Sequence, residues 1–130
     1  MSVVLVDTSV WVDHFRHGND VLASLLSQDR VLTHPMVVLE LACGTPPAPR
    51  QRTLRDIGLL QAASQATPSE VMDFVEREKL YGLGCGLVDL SLLASTLITP
   101  GTSLWTLDRR LHELAARFDA AHATPGPVTR

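Results

Sequence analysis

The stretch Val3-Val4-Leu5-Val6-Asp7-Thr8-Ser9 decides the fold of this 130-residue chain. Its four apolar residues, three of them β-branched, predict a strand that is buried on both faces, as in a parallel sheet. The polar residues that follow stop the strand and can begin a helix, since Asp, Thr and Ser are preferred cap residues. A strand that passes directly into a helix is typical of an α/β domain.

Strands and helices continue to alternate along the rest of the chain. Further strands are predicted at 31–33 and 103–106, with 60–66 as a weak candidate and a short strand after His122. Helices are predicted over 9–15, from a cap at Asp20 through Leu26, over 35–43, over 51–60, from the capping sequence Thr67-Pro68-Ser69-Glu70, over 87–98 and over 109–118. This alternation predicts a single α/β domain over residues 1–130 with a mostly parallel sheet.

The charge and cysteine content exclude several classes of protein. With 11 Lys and Arg against 14 Asp and Glu, the net charge of −3 argues against a nucleic-acid binder that is basic all over. Cys43 and Cys85 are far apart and form no C-x-x-C pair, so no disulfide framework or zinc site is expected. The sequence has no signal peptide and no apolar run of about 18 residues, so we expect a cytoplasmic protein without a membrane segment.

Four carboxylates interrupt apolar sequence, whereas the other acidic residues stand in polar company. Asp7 ends the first strand, and Glu40 lies within Met-Val-Val-Leu-Glu-Leu-Ala-Cys. Asp89 lies within Gly-Leu-Val-Asp-Leu-Ser-Leu-Leu-Ala, and Asp108 follows Leu-Trp-Thr-Leu. A buried carboxylate is costly unless it is paired or bound to a metal. Since no arginine is near the first three in sequence, one shared divalent cation would compensate the four together.

The four acids can converge because the carboxyl ends of parallel strands meet at one edge of a sheet. Oxygen ligands alone suit Mg²⁺ or Mn²⁺. Each acid also has a simpler interpretation: Asp7, Asp89 and Asp108 can cap helices, and Glu40 can face solvent. The occurrence of all four together favours a common metal pocket.

The ordered set of motifs resembles the PIN domain. It comprises Asp7-Thr8-Ser9-Val10-Trp11 near the start, Glu40 in a long helix, Asp89 at the start of an apolar helix after a Gly-rich turn, and Thr106-Leu107-Asp108 with Leu111 near the end. The length and order of elements resemble VapC-type toxins of bacterial toxin–antitoxin operons. The resemblance covers essentially the whole chain and implies a three-layer α/β/α domain around the parallel sheet.

The resemblance also implies a metal-dependent endoribonuclease that acts as the toxin of a type II toxin–antitoxin pair. The matching positions are Asp7 and Asp89 as direct ligands of Mg²⁺ or Mn²⁺, Glu40 and Asp108 as acids that complete the pocket, and Thr8, Ser9 and Thr106 as hydroxyls that hydrogen-bond the carboxylates. The partners implied are an RNA substrate, a cognate antitoxin and a second copy of the chain.

Two groups of arginines are candidates for contact with RNA phosphates. Arg109 and Arg110 directly follow the last of the four acids, and Arg52 and Arg55 lie on the helix predicted over 51–60. The simpler alternative is that these side chains only solvate helix faces.

For the antitoxin, apolar residues near the N-terminus offer a groove. Trp11, Val12 and Phe15, together with the predicted helix around 21–26, could receive an apolar helix of the partner. The alternative is that the same residues pack in the core.

Two other kinds of function remain open from the residues. A metal-dependent phosphatase or DNA nuclease would use the same carboxylates, although the D-x-D of an aspartyl-phosphate enzyme is absent because Ser9 occupies its second position. A non-catalytic binding module would use the acids only to dock a basic partner.

Overall fold

Three parallel strands form the sheet in the computed structural model, which describes residues 2–123. They are β1 (Val3–Val6), β2 (Val31–Leu32) and β3 (Thr102–Trp105), and their order in the sheet is β2-β1-β3. The strand β1 is central, with Val4 opposite Val31 on one side and Ser103 on the other. The parallel sheet predicted from the sequence is confirmed.

Seven helices surround this sheet in the described part of the chain. They are α1 (Thr8–His17), α2 (Asp20–Ser27), α3 (Pro35–Ala42), α4 (Arg50–Gly58), α5 (Pro68–Glu78), α6 (Leu87–Ile98) and α7 (Arg109–Arg117). Together with the sheet they form a three-layer α/β/α domain, as predicted. None of the described helices is both long and apolar enough to cross a membrane.

The core lies where β1 and the helix α6 are buried. Val4, Leu5 and Val6 are at most 1% exposed, which agrees with a strand covered on both faces. In α6, all seven residues from 90 to 96 are buried, so the helix packs against neighbours on more than one side. It contacts β3, α5 and α7. This burial fixes the first turn of α6 near the carboxyl ends of the strands.

The start of α2 differs from the sequence prediction. Asn19, and not Asp20, is the N-cap residue, and its side chain accepts a hydrogen bond of 3.0 Å from the Leu22 amide. Gly18 adopts a φ of 69°, so the chain turns one residue earlier than the prediction assumed. Asp20 is instead the first residue of the helix, where its charge favours the helix dipole.

The weak strand candidate at 60–66 forms a single parallel bridge between Thr33 and Ala62. The Thr33 amide donates to the carbonyl of Gln61 and the Ala63 amide to the carbonyl of Thr33, at 2.9 and 3.0 Å. The strand predicted after His122 falls largely outside the described residues. Within them, Ala121 forms one parallel bridge with Leu104.

His34 begins the helix α3 from a buried position. Its Nδ1 accepts a hydrogen bond of 3.1 Å from the Met36 amide, and its Nε2 lies 3.1 Å from Ser95 Oγ. Because Nδ1 accepts, the proton of the neutral ring is on Nε2 and is donated to Ser95. Burial lowers the pKa of His34, since the charged ring would lose its hydration. A second proton would also face the Met36 amide at the positive end of the helix dipole.

We therefore predict that His34 makes the fold less stable in acid. The unfolded chain takes up a proton near the ordinary histidine value of 6.5, while the folded protein resists it. The contribution is complete above that pH and is lost as the pH falls below it. His34→Asn keeps a capping side chain without a titrating ring. Thermal unfolding from pH 7.5 to 5.0 should therefore show a smaller fall in Tm for the variant than for the wild type.

A comparison of the wild type with His34→Asn measures the contribution of His34 alone. His122 also has a lowered pKa, caused by burial and by the charge of Arg30, but it is common to both proteins. Equal falls in Tm for the wild type and His34→Asn would contradict the assignment.

Candidate active site

A cleft of about 340 Å³ opens beside the carboxyl ends of β1 and β3, and all four acids singled out in the sequence line it. Asp7 directly follows β1, and Asp108 caps α7 just after β3. Glu40 comes from α3, and Asp89 from the first turn of α6. The lining is completed by Thr8, Ser9, Val12 and Arg16. The tertiary structure thus brings together carboxylates from four separate parts of the chain.

Asp7 is the most buried of these acids, with 5% of its surface exposed. Its Oδ2 accepts hydrogen bonds from Ser9 Oγ and Thr106 Oγ1, both at 2.7 Å. Although Asp7 stands at the N-cap position of α1, its side chain makes no capping hydrogen bond. The capping alternative is therefore wrong for Asp7. In the described structure Oδ1 receives no hydrogen bond, which leaves it available to a ligand in the cleft.

The two hydroxyl groups are oriented toward Asp7 by the backbone. Ser9 Oγ accepts a hydrogen bond from the Leu107 amide, and Thr106 Oγ1 accepts one from the Asp108 amide, both at 3.0 Å. Each hydroxyl has one proton, and these contacts direct it to Oδ2 of Asp7. The 3.4 Å approach of Ser9 to Thr106 then involves no donated proton. Both predicted hydroxyl contacts are present.

Glu40 and Asp108 line the cleft and also have the simpler roles that the sequence suggested for them. Glu40 is exposed to solvent, and its Oε1 accepts a hydrogen bond of 2.6 Å from Thr8 Oγ1. Asp108 caps α7 through a hydrogen bond of 3.1 Å from the Leu111 amide to its Oδ1. Neither role removes the side chain from the cleft, because each carboxylate has a second oxygen.

Asp89 is the acid of the cleft that has a raised pKa. Burial raises its pKa to about 6, and the charges of Asp7, Asp108 and Glu40 add to the rise. A hydrogen bond from the Gly86 backbone acts in the opposite direction. Gly86 is the N-cap residue of α6 and Asp89 is the third residue of the helix, so this contact with the Gly86 backbone is the capping role that Asp89 has. A cation in the cleft would relieve the repulsion among these acids.

The kind and spacing of the donor atoms in the cleft decide which divalent metal it can hold. Its acids supply only oxygen ligands, which suit Mg²⁺ or Mn²⁺. Within residues 2–123, however, no three Asp, Glu, His or Cys side chains are arranged closely enough to hold an ion by themselves. This wider arrangement fits Mg²⁺, which is usually bound by one or two carboxylates while water and phosphate complete its shell.

The arginines divide into those near the cleft and those remote from it. Arg16 lines the cleft, although nothing in the sequence separated it from an ordinary exposed position on α1. Arg110 packs against Gly84, next to Cys85.

Burial raises the pKa of the Cys85 thiol to about 11, Asp89 and Asp108 add to the rise, and Arg110 opposes it.

None of the four predicted RNA-binding arginines is among the residues that line the cleft. Arg109 forms an ion pair of 3.2 Å with Glu113. Arg52 and Arg55 are exposed on α4 and do not line the cleft. Their contact with RNA stays a prediction.

The apolar groove proposed near the N-terminus is only partly present. Trp11, Leu22 and Leu25 are at most 6% exposed and pack in the core, so for them the core alternative holds. Val12 and Phe15 remain half-buried and line a second groove of about 180 Å³. This groove adjoins the cleft, because Thr8, Val12, Arg16 and Glu40 line both.

The fold and the acidic cleft agree with the comparison to known families, in which a PIN domain matches residues 4–117. The chain belongs to the PIN domain family. Two curated relatives, each named Ribonuclease VapC32, come from Mycobacterium tuberculosis strains CDC 1551 / Oshkosh and ATCC 25618 / H37Rv. Each is 39% identical over 121 residues, which cover 93% of this chain and 97% of the relative. The resemblance to VapC-type PIN-domain ribonucleases is confirmed.

We predict that Asp89→Asn stabilises the protein in the absence of divalent metal. At pH 7.5 the Asp89 charge is held against burial and like charges, so its removal should stabilise by about 1 kcal/mol after allowance for solvent screening. Tm should rise by a few degrees. The gain should shrink as the pH falls below about 6, because Asp89 then takes up a proton in the folded protein.

Asp73→Asn is the matched control, since Asp73 is exposed on α5 and outside the cleft. Calorimetry in EDTA should show no comparable gain for it. A lower Tm for Asp89→Asn than for the wild type would contradict the electrostatic account.

Proposed function

We propose that this chain is a divalent-metal-dependent endoribonuclease and the toxin of a type II toxin–antitoxin pair. The observation that carries the proposal is the convergence of four carboxylates in one cleft of a PIN domain. The 39% identity to proteins named Ribonuclease VapC32 supports RNA as the substrate class. In this proposal residues 1–130 act as one catalytic domain.

The side chains of the cleft would have distinct roles. Asp7 and Asp89 would bind Mg²⁺ or Mn²⁺ directly, the first through the oxygen that its hydroxyl partners leave free. Ser9 and Thr106 would fix the rotation of the Asp7 carboxylate. Thr8 would hold Glu40 toward the cleft. Asp108 would complete the acidic lining from the side of α7.

What a bound Mg²⁺ or Mn²⁺ supplies at such a site is neutralisation of phosphate charge and a more acidic water. The side chains of the cleft would hold the attacking water beside the scissile phosphodiester. Glu40 and Asp108 are suited to accept its proton, since each is a carboxylate at the rim whose other oxygen is already held. Hydrolysis of this kind would leave a 5′-phosphate and a 3′-hydroxyl.

We predict that RNA cleavage depends on the metal and on the buried acids. Purified wild-type protein should cleave total RNA with Mg²⁺ or Mn²⁺ and stop when EDTA is added. Asp7→Asn and Asp89→Asn should each lose more than about 100-fold in rate, since even outer-shell changes at metal sites cost about 10–100-fold. Asp73→Asn should retain full activity.

The outcomes separate the proposed function from its alternatives. Equal cleavage by wild type, Asp7→Asn and Asp89→Asn would contradict the metal site. Cleavage of DNA or release of phosphate from monoesters, without RNA cleavage, would favour another metal-dependent nuclease or a phosphatase. Binding of a basic partner with no cleavage would favour a non-catalytic module.

The proposed antitoxin would occupy the groove beside the cleft. Val12, Phe15, Leu41 and Pro46 supply its apolar part, and Glu40 is shared with the acidic cleft. An amphipathic helix of the partner could fill the groove while a basic side chain enters the cleft. Such binding would inhibit the enzyme by covering the acids that RNA and metal require.

The proposed homodimer would use an apolar depression between α5 and α6. It is lined by Pro68, Val71, Met72, Val75, Glu76, Leu87 and Leu90. Met72 and Leu87 are 68% and 64% exposed, which is unusual for large apolar side chains on neighbouring helices. A second copy of this face would cover both.

We predict that Met72→Glu dissociates the dimer. Sedimentation velocity should give a dimer for the wild type and a monomer for the variant at the same concentration, with unchanged far-UV circular dichroism. Leu59→Glu is the matched control, because Leu59 is 76% exposed but outside this depression, and it should remain dimeric. A monomeric wild type, or a dimeric Met72→Glu variant, would contradict the interface.

A further inference from the structure

An acidic cleft that must receive a polyanion needs cations at its borders. Four carboxylates line it, and RNA carries one charge per phosphate. A bound metal neutralises charge only at its own position, so the flanking phosphates need other partners. The described residues around the cleft supply two candidate side chains, Arg16 and Arg110.

Arg16 is the one positively charged side chain among the described residues that line the cleft. It is exposed, and within the described chain it forms no ion pair. It also lines the neighbouring groove with Glu40, whereas Asp7, Asp89 and Asp108 do not. Arg16 therefore stands on the Glu40 side of the cleft, at the C-terminal end of α1.

Arg110 stands at the start of α7, two residues after Asp108, which lines the cleft. A Cβ built on Gly84 would lie 2.6 Å from its Nη1 and 2.8 Å from its Cδ, so the arginine rests directly on the glycine backbone. Gly84 also adopts a φ of 89°, which other residues adopt only with strain. Cys85, which follows Gly84, lies in the field of Asp89, Asp108 and Arg110. The glycine thus holds the guanidinium at the turn that leads into α6, the helix that carries Asp89.

The adjacent arginine differs from Arg110 in its surroundings. Arg109 is engaged by Glu113 one turn further along α7. Arg110 has no such partner among residues 2–123. Of the two consecutive arginines, Arg110 is therefore free to bind a phosphate next to the cleft.

We propose that Arg16 and Arg110 bind RNA phosphates on the two sides of the cleft, and that contact with the Gly84 backbone holds Arg110 in place. The RNA backbone then crosses the acids between the end of α1 and the start of α7. The inference deepens the proposed ribonuclease function and rests on it. It assigns to these two residues a role in substrate positioning and none in the chemical step.

The test measures binding separately from cleavage. A labelled single-stranded RNA of mixed sequence, 20 nucleotides long, is titrated by fluorescence anisotropy with Mg²⁺, in an Asp89→Asn background that prevents turnover. Each lost phosphate contact should reduce the slope of log K against log salt by about 0.7, or about fivefold in affinity at 0.1 M salt. Arg16→Ala and Arg110→Ala should each show this loss, and their combination should show the sum.

Arg117→Ala is the matched control, because Arg117 lies on the same helix as Arg110 but over the Phe118 ring, away from the cleft. It should change neither the slope nor the affinity. Unchanged slopes for Arg16→Ala and Arg110→Ala, or an equal loss for Arg117→Ala, would overturn the inference. A loss for Arg109→Ala that equals the loss for Arg110→Ala would overturn the assignment within the pair.

Gly84→Ala tests the contact between Gly84 and Arg110 without removing a charge. In the same Asp89→Asn background, we expect it to reproduce the Arg110→Ala loss when Arg110 is present and to add nothing when Arg110 is already alanine. Additive losses from the two changes would overturn the role of Gly84.

Failure of the inference can be told from failure of the proposed function. In otherwise wild-type protein, Arg16→Ala and Arg110→Ala should raise KM for RNA cleavage while kcat is retained, whereas Asp7→Asn loses kcat. Metal-dependent cleavage with unaltered KM in both arginine variants overturns the phosphate contacts and leaves the ribonuclease intact. No cleavage by the wild type removes the basis of both.

Discussion

The buried Asp7 carboxylate at the carboxyl end of the central strand is the constraint on which the rest of the structure depends. It ends β1, begins α1, and binds the hydroxyls of Ser9 and Thr106 with one oxygen. Through Thr106 it ties β1 to the end of β3, 99 residues away in the chain. The Leu107 and Asp108 amides complete the network by donating to the same hydroxyls. A buried charge is tolerated here because these polar groups compensate it.

The cleft concentrates negative charge that the rest of the molecule does not have. Four of the 14 acidic residues line the cleft together with one of the 11 basic residues, Arg16, so the rest of the sequence has ten of each. The net charge of −3 therefore says little about affinity for RNA, because its excess lies in one place. Burial, and then the charges of Asp7, Asp108 and Glu40, raise the pKa of Asp89, so its ionised form costs the folded protein free energy. A cation bound in the cleft would relieve this repulsion.

Helix caps and cleft residues are not exclusive alternatives in this fold. Asp108 caps α7 with one oxygen and still lines the cleft, and Glu40 is solvent-exposed and still held by Thr8. Asp7 shows the opposite case, because it is the N-cap residue of α1 and its side chain makes no capping hydrogen bond. The local sequence suggests one role for each residue separately. Only the contacts of the second carboxylate oxygen show whether a residue serves one role or both.

The sequence by itself determined the order of the elements, the parallel sheet and the four acids, because these depend on local patterns. Apolar runs define the strands, periodicity defines the helices, and a carboxylate in an apolar stretch is conspicuous wherever it lies. Tertiary structure alone decided that Arg16 lines the cleft, that Arg110 rests on Gly84 while Arg109 pairs with Glu113, and that Trp11 is core. An exposed arginine has no distinctive neighbours in sequence. Its role depends on the direction of its side chain and on chain segments that return from a distance.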